Sequence, residues 1–194
     1  MTVIRVDPHS VRAYGRGAQA AFDAMHASLV RLVDDLVAVR WFGPNAVACK
    51  AHSGRLAAEF AHRMHVDLAA MADAVRTSTS NIAAALGGGP IQLHIDQRPI
   101  TPPAPVAVDH VDVDTAALEA MIPLVAQRFD ELRGQLAAHL RLLQATDWEG
   151  AAKRTAVDAV GGFTTAAGVA CDQAQHQLIG FLDQQVRAVV AADR

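Results

Sequence analysis

The feature that most constrains this chain is an internal repeat: displaced by 107 positions, the sequence lays Trp41 on Trp148 and Gly43 on Gly150. These are the chain's two tryptophans. Without a gap, the same displacement matches Val6-Asp7 with Val113-Asp114, Phe22-Asp23 with Phe129-Asp130, Leu29 with Leu136, Leu36 with Leu143 and Gly54 with Gly161. The identities are sparse, as in a diverged duplication or two related partners joined. The fold must therefore be assembled from two similar halves.

Within each half the apolar spacing is helical. Val11, Gly15, Ala18, Phe22, Met25, Leu29, Leu32, Leu36 and Val39 alternate steps of four and three, the spacing of a seam that faces another helix. The second half repeats the stripe as Leu118, Ile122, Val125, Phe129, Leu132, Leu136, His139, Leu143 and Thr146. Each stripe follows a capping carboxylate, Asp7 ahead of Pro8 and Asp114 ahead of Thr115-Ala116-Ala117. Each stops at a tryptophan-glycine turn, Trp41-Phe42-Gly43-Pro44 or Trp148-Glu149-Gly150.

A second periodic stretch follows each turn. It reads Leu56, Phe60, Met64, Leu68, Met71, Val75 and Ile82 in the first half, and Val157, Val160, Thr164, Ala167, Cys171, Ala174, Leu178, Leu182 and Val189 in the second. Each half is thus helix, tight turn, helix. Pro123 near the start of the third helix and Gly161-Gly162 early in the fourth predict a late helix start or a kink.

Residues 87–112 form a connector, from Gly87-Gly88-Gly89-Pro90 through Pro99, Pro102, Pro103 and Pro105, which no helix accommodates. Ile91 to Ile95 and Val106 to Val108 alternate apolar and polar, so these parts lie extended along the helices or pair as a short hairpin. A helix of about 30 residues is about 45 Å long, and about 25 extended residues reach about 80 Å. Hairpins packed antiparallel need a connector of that reach, whereas parallel ones need only a handful of residues. The expectation is an all-α, antiparallel four-helix bundle made of a hairpin over 1–86, the linker over 87–112 and a hairpin over 113–194. Two hairpins that never meet are the alternative.

Composition agrees. Hydrophobic residues make up 52% of the chain and aromatic ones 5%, which suits helices packed closely through small side chains better than a β-sandwich. The formal charge of -3, with no clustered Lys/Arg stripe, argues against nucleic acid as a partner. No apolar run approaches the roughly 20 residues that cross a bilayer, and the first residues carry no secretory signal-peptide pattern.

A Trp-x-Gly turn between two amphipathic helices, present as Trp41-Phe42-Gly43 and again as Trp148-Glu149-Gly150, resembles the WXG-hundred (ESAT-six-like) family of type VII (ESX) secretion. The likeness covers nearly the whole chain twice. The opening Val6-Asp7-Pro8-x-x-Val11-Arg12 is also similar to the start of many members from GC-rich bacteria. Members work as pairs of hairpins packed antiparallel, so the resemblance implies such a pair in one polypeptide, a monomer whose intramolecular partner has a high effective concentration. It also implies protein partners, either secretion components or a cognate effector, and a cytoplasmic protein that can be exported.

One departure matters. The family's export signal, Tyr-x-x-x-Asp/Glu after a second helix, has no counterpart: the one tyrosine is Tyr14, and Phe181-Leu182-Asp183-Gln184-Gln185 lacks both the tyrosine and the acid.

The candidate site residues are Trp41, Gly43, Trp148 and Gly150. Either the indoles only plug the turns, or each turn offers a groove that a partner's tail or the secretion machinery recognises, as the resemblance implies. His62 and His65, with Glu59 one turn earlier, have a spacing able to ligate a metal, but Phe60 and Met64 define the buried stripe there, and no metal is expected. Gly87-Gly88-Gly89 follows a helix rather than preceding one, which suits a helix end better than a phosphate cradle. No nucleophile-elbow, P-loop or paired C-x-x-C pattern is present, and the expectation is a non-enzymatic protein without a cofactor.

Cys49 and Cys171 lie at heights that agree within about 10 Å on the antiparallel arrangement, so they are two buried thiols or one disulfide. The reading is a tandem WXG-type protein acting as substrate, accessory or interaction module. Its alternatives are a chaperone-like targeting adaptor for a toxin or effector, and a ligand-binding helical bundle unrelated to secretion.

Overall fold

The computed structural model describes residues 5–85, 90–96, 98–108 and 110–192. Eight elements follow one another: β1 (Arg5–Val6), α1 (Pro8–Ala38), β2 (Trp41–Phe42), α2 (Pro44–Ala85), β3 (Asp112–Val113), α3 (Thr115–Gln144), β4 (Trp148–Glu149) and α4 (Ala151–Ala192). The helices pack as an all-α four-helix bundle, α1 on α3, α2 on α4 and α3 on α4. Asp7 and Asp114 act as the caps the sequence predicts: Asp7 Oδ1 accepts from the His9 amide at 2.9 Å and Asp114 Oδ1 from the Ala117 amide at 2.9 Å.

The chain forms two compact units, each drawing a segment from all four helices. Unit 1 comprises Met1–His26, Met64–Gln97 and Arg133–Gly168; unit 2 comprises Ala27–Arg63, Arg98–Leu132 and Val169–Arg194.

In unit 1 the first half of α1 meets the last part of α3, so these helices run antiparallel. Its core takes Val11, Ala18 and Phe22 from α1, Leu68, Met71 and Val75 from α2, Leu136 and Leu143 from α3, and Val160 from α4. Burying a Leu or Phe side chain of this kind contributes about 1.5–3 kcal/mol. Two polar side chains join this core, Tyr14 (2% exposed) and His139 (1% exposed), and they share a hydrogen bond of 3.0 Å. The described connector segment 90–96 lies extended over α1. Ile91 is buried against Gly15, where a Cβ would stand 2.7 Å from its Cγ2, and the Gln19 side chain both donates to the His94 carbonyl and accepts from the His94 amide at 2.8 Å.

Unit 2 packs Leu29, Leu32 and Leu36 of α1 with Phe60 of α2, Phe129 and Leu132 of α3, and Leu178 and Leu182 of α4. The Phe60 and Phe129 rings are 5.2 Å apart and tilted by 54°, a favourable aromatic geometry. At its edge Arg128 donates to Asp35 at 2.8 Å and to both oxygens of Glu131 at 3.1 and 3.2 Å. Burial opposes ionisation of Glu131, but hydrogen bonds from Arg128 and Gln127 and the charges of Arg128 and Arg31 prevail and hold its carboxyl below the usual carboxylate range. Pro102 packs over Gly54, its Cβ 3.1 Å from where a glycine Cβ would be. The connector is thus extended and packed, and the hairpin alternative is not formed among its described residues.

The structure bears on three further expectations. α3 starts at Thr115 and runs through Pro123 without the late start predicted; the ring is exposed, and the helix loses only the amide that residue 123 would have offered the Glu119 carbonyl. α4 likewise runs unbroken through Gly161 and Gly162. Cys49 and Cys171 are buried thiols with no disulfide between them. Gly87, Gly88 and Gly89 lie outside the described residues.

Candidate functional site

Each tryptophan-glycine turn is closed by residues of the other half. β2 pairs antiparallel with β3, Trp41 opposite Val113 and Phe42 opposite Asp112. β4 pairs antiparallel with β1, Trp148 opposite Val6 and Glu149 opposite Arg5. The repeated Val-Asp pair that precedes each capped helix therefore has a second role: its valine forms the strand residue facing the opposite half's tryptophan. Gly43 (φ 115°) and Gly150 (φ 135°) lie where a side chain is strained, which explains why both turns end in glycine.

The two lysines of the chain serve one turn each. Lys153 Nζ donates to the carbonyls of Gln144 at 2.8 Å and Thr146 at 2.7 Å, closing the carbonyl end of α3 at the second turn. Lys50 Nζ sits 5.1 Å from the centroid of the Phe42 ring at the first turn. Burial lowers the Lys50 pKa against a smaller opposing effect of Cys49.

Both indoles are buried, Trp41 at 4% and Trp148 at 1% exposure, so both fill their turns. Trp148 Nε1 is out of contact with solvent and has no hydrogen-bond partner. Trp41 also forms a wall of an open groove of about 730 Å³ in unit 2. The floor and near side are Trp41, Phe42, Asn45, Cys49 and His52; Val111 and Val113 come from the segment around β3; and Phe181, Gln185 and Val189 come from the end of α4. Its size and its mixture of aromatic walls with a few neutral polar groups suit an apolar side chain or a ligand of that scale. Val111 is 73% exposed beside this groove.

Cys49 and His52 invite comparison with a thiol-imidazole pair, but the chemistry runs the other way. Burial pushes the Cys49 thiol up to about 11, with Lys50 pulling weakly in the opposite direction, whereas a nucleophilic thiol needs a lowered value. The His52 Nδ1 is engaged with Arg55 at 2.9 Å, and its ring lies 4.5 Å from that of Phe181.

Glu59 and His62 are exposed, while His65 is half-buried with its ring edge-on to His26 at 5.8 Å. No three His, Cys, Asp or Glu side chains among the described residues come together to hold a metal ion. Among those residues, too, no helix is long and apolar enough to cross a membrane.

Displacing the groove by the repeat tests its counterpart in the sequence. Phe42, Cys49 and His52 correspond to Glu149, Ala156 and Ala159, and Phe181 and Gln185 correspond to Ala74 and Ser78. The aromatic walls therefore belong to the first turn alone. Sequence reasoning singled out Trp41 and Gly43 but not Phe42, His52 or Phe181 as their neighbours, since α4 reaches the first turn only through the fold. Compared with known protein families, curated proteins and solved structures, the chain matches none.

Proposed function

We propose that this chain is a fused pair of WXG-type hairpins that serves type VII secretion as a non-enzymatic accessory, with the groove beside Trp41 as the surface that receives its protein partner. One observation carries the reading: Phe181 and Gln185, whose spacing is the nearest thing in this chain to that of the family's export signal, line the same groove as Trp41. Phe181 keeps an aromatic ring but no hydroxyl, and Gln185 keeps hydrogen-bonding capacity but no charge. A groove so altered retains apolar complementarity and loses a charged contact, which suits an accessory that binds a component or effector better than a substrate that carries the signal itself. Fusion makes the second hairpin an intramolecular partner at high effective concentration, so the chain needs no separate paralogue to complete its bundle.

The test is to fractionate producing cells with and without a functional type VII system, alongside a Phe181→Ala variant. The expected result is association of the chain with a secretion component or effector, dependent on the system and weakened by the variant. Cytosolic retention under both conditions, with no such association, would remove the proposal.

A further inference from the structure

The buried polar pair in unit 1 has no part in the groove, and its chemistry points to a conformational device. His139 lies in α3 on the stripe that faces the core; its ring stacks on Tyr14 (centroids 6.0 Å apart, planes 17° apart) and tilts against Phe22 at 5.0 Å. The hydrogen bond to Tyr14 Oη is satisfied with a neutral imidazole and a neutral phenol. From α1 the Tyr14 hydroxyl is its hydrogen-bond partner, and burial lowers its pKa by disfavouring the charged ring. A proton added to this ring would place a full charge in a site lined by the Tyr14 and Phe22 rings, and among the described residues no carboxylate hydrogen-bonds to it.

We propose that the Tyr14–His139 pair makes unit 1 acid-sensitive, so that it loosens on mild acidification while unit 2 keeps its packing. Among its described residues unit 2 has no equivalent buried pair: His52 is half-buried against Phe181, and His62, His110 and His176 are exposed.

Burial lowers His139 from 6.5 to about 4, so the unfolded or opened form binds the extra proton first. Its contribution to stability is complete above pH 6.5 and is lost as pH falls towards 4, a change of roughly 300-fold in the opening equilibrium. Between pH 7 and pH 5 the same linkage gives about a twentyfold loss. Unit 1 also holds His26 and His65 in a T-shaped contact, with Asp23, His94 and Asp96 around the small cavity beside His26. The test must separate these groups from His139.

Hydrogen exchange on the full chain at pH 7 and pH 5, corrected for intrinsic rates, reads the two units separately. Peptides covering 8–26 and 133–146 should lose about twentyfold in protection, those covering 27–38 and 118–132 should hold theirs, and His139→Gln should flatten the response of unit 1. Equal loss in both units in the wild-type chain, or an undiminished acid response in His139→Gln, would overturn the proposal. If that variant does not fold, the double variant His26→Gln/His65→Gln serves instead: it should keep the acid response of unit 1, and a flattened response there would overturn the proposal.

Discussion

Replacing Gly43 with alanine should destabilise the protein, whereas the same replacement at Gly134 should stabilise it. At Gly43 φ is +115°, beyond the left-handed helical region that asparagine tolerates, and a residue held in so sparse a region costs about 1–3 kcal/mol. The added Cβ would also stand 3.1 Å from Val111 Cγ2, but Val111 is 73% exposed and can yield, so the backbone dominates and the expected cost is about 2–3 kcal/mol. Gly134 lies inside α3 with nothing within 4 Å of a new Cβ, so alanine there removes unfolded-state freedom at no steric cost and should contribute about 0.5–1 kcal/mol. Urea titrations of the wild type, Gly43→Ala and Gly134→Ala at pH 7 measure both, provided the slopes agree. Gly150→Ala, at φ +135°, should behave as Gly43→Ala does. Gly43→Ala within 0.5 kcal/mol of wild type, or a less stable Gly134→Ala, would refute the reasoning, by the roughly ±0.5 kcal/mol scatter of neutral surface changes.

Three more expectations follow from other parts of the molecule. Phe129 is fully buried against Phe60, and Phe129→Ala should cost about 3–5 kcal/mol in the same titration. Because the Glu131 carboxyl is held low, its contribution is present above the ordinary carboxylate range and is lost as pH falls through the lowered value; Arg128→Met should remove that acid dependence, which shows as a flatter stability profile below pH 5. With its thiol near 11 and its side chain buried, Cys49 should react with iodoacetamide at pH 8 at least about 100-fold more slowly in the native protein than in urea, as read by mass spectrometry of its peptide.

Much of the architecture is legible in the sequence because its signals are local or strongly periodic. All nine positions of the first stripe, which ends just past α1, are buried, as are eight of the nine of the second, which ends just past α3. The exception, Ile122, is half-exposed while its neighbour Met121 fills the core. Tyr14 escapes the pattern, since it stands beside a stripe position held by Gly15, which has no side chain to fill the core. His139 reads as wear on the apolar stripe, and only the fold reveals that it meets Tyr14. The two-residue strands are too short for any period to show; the recurrence of Val-Asp ahead of both caps is their one trace. Pro123 misleads because a proline with its ring in solvent costs one hydrogen bond without ending a long, well-packed helix. The groove is hidden for a different reason: its walls join Trp41 to Phe181, which no local pattern relates.

The exchange of strands at the turns has a consequence for inheritance. Each corner is finished by a valine encoded in the opposite half of the gene, so a substitution at Val6 is felt at Trp148 and one at Val113 is felt at Trp41. A change on either side of a corner therefore meets a neighbour from the far half of the chain, so the two halves answer for each other's turns.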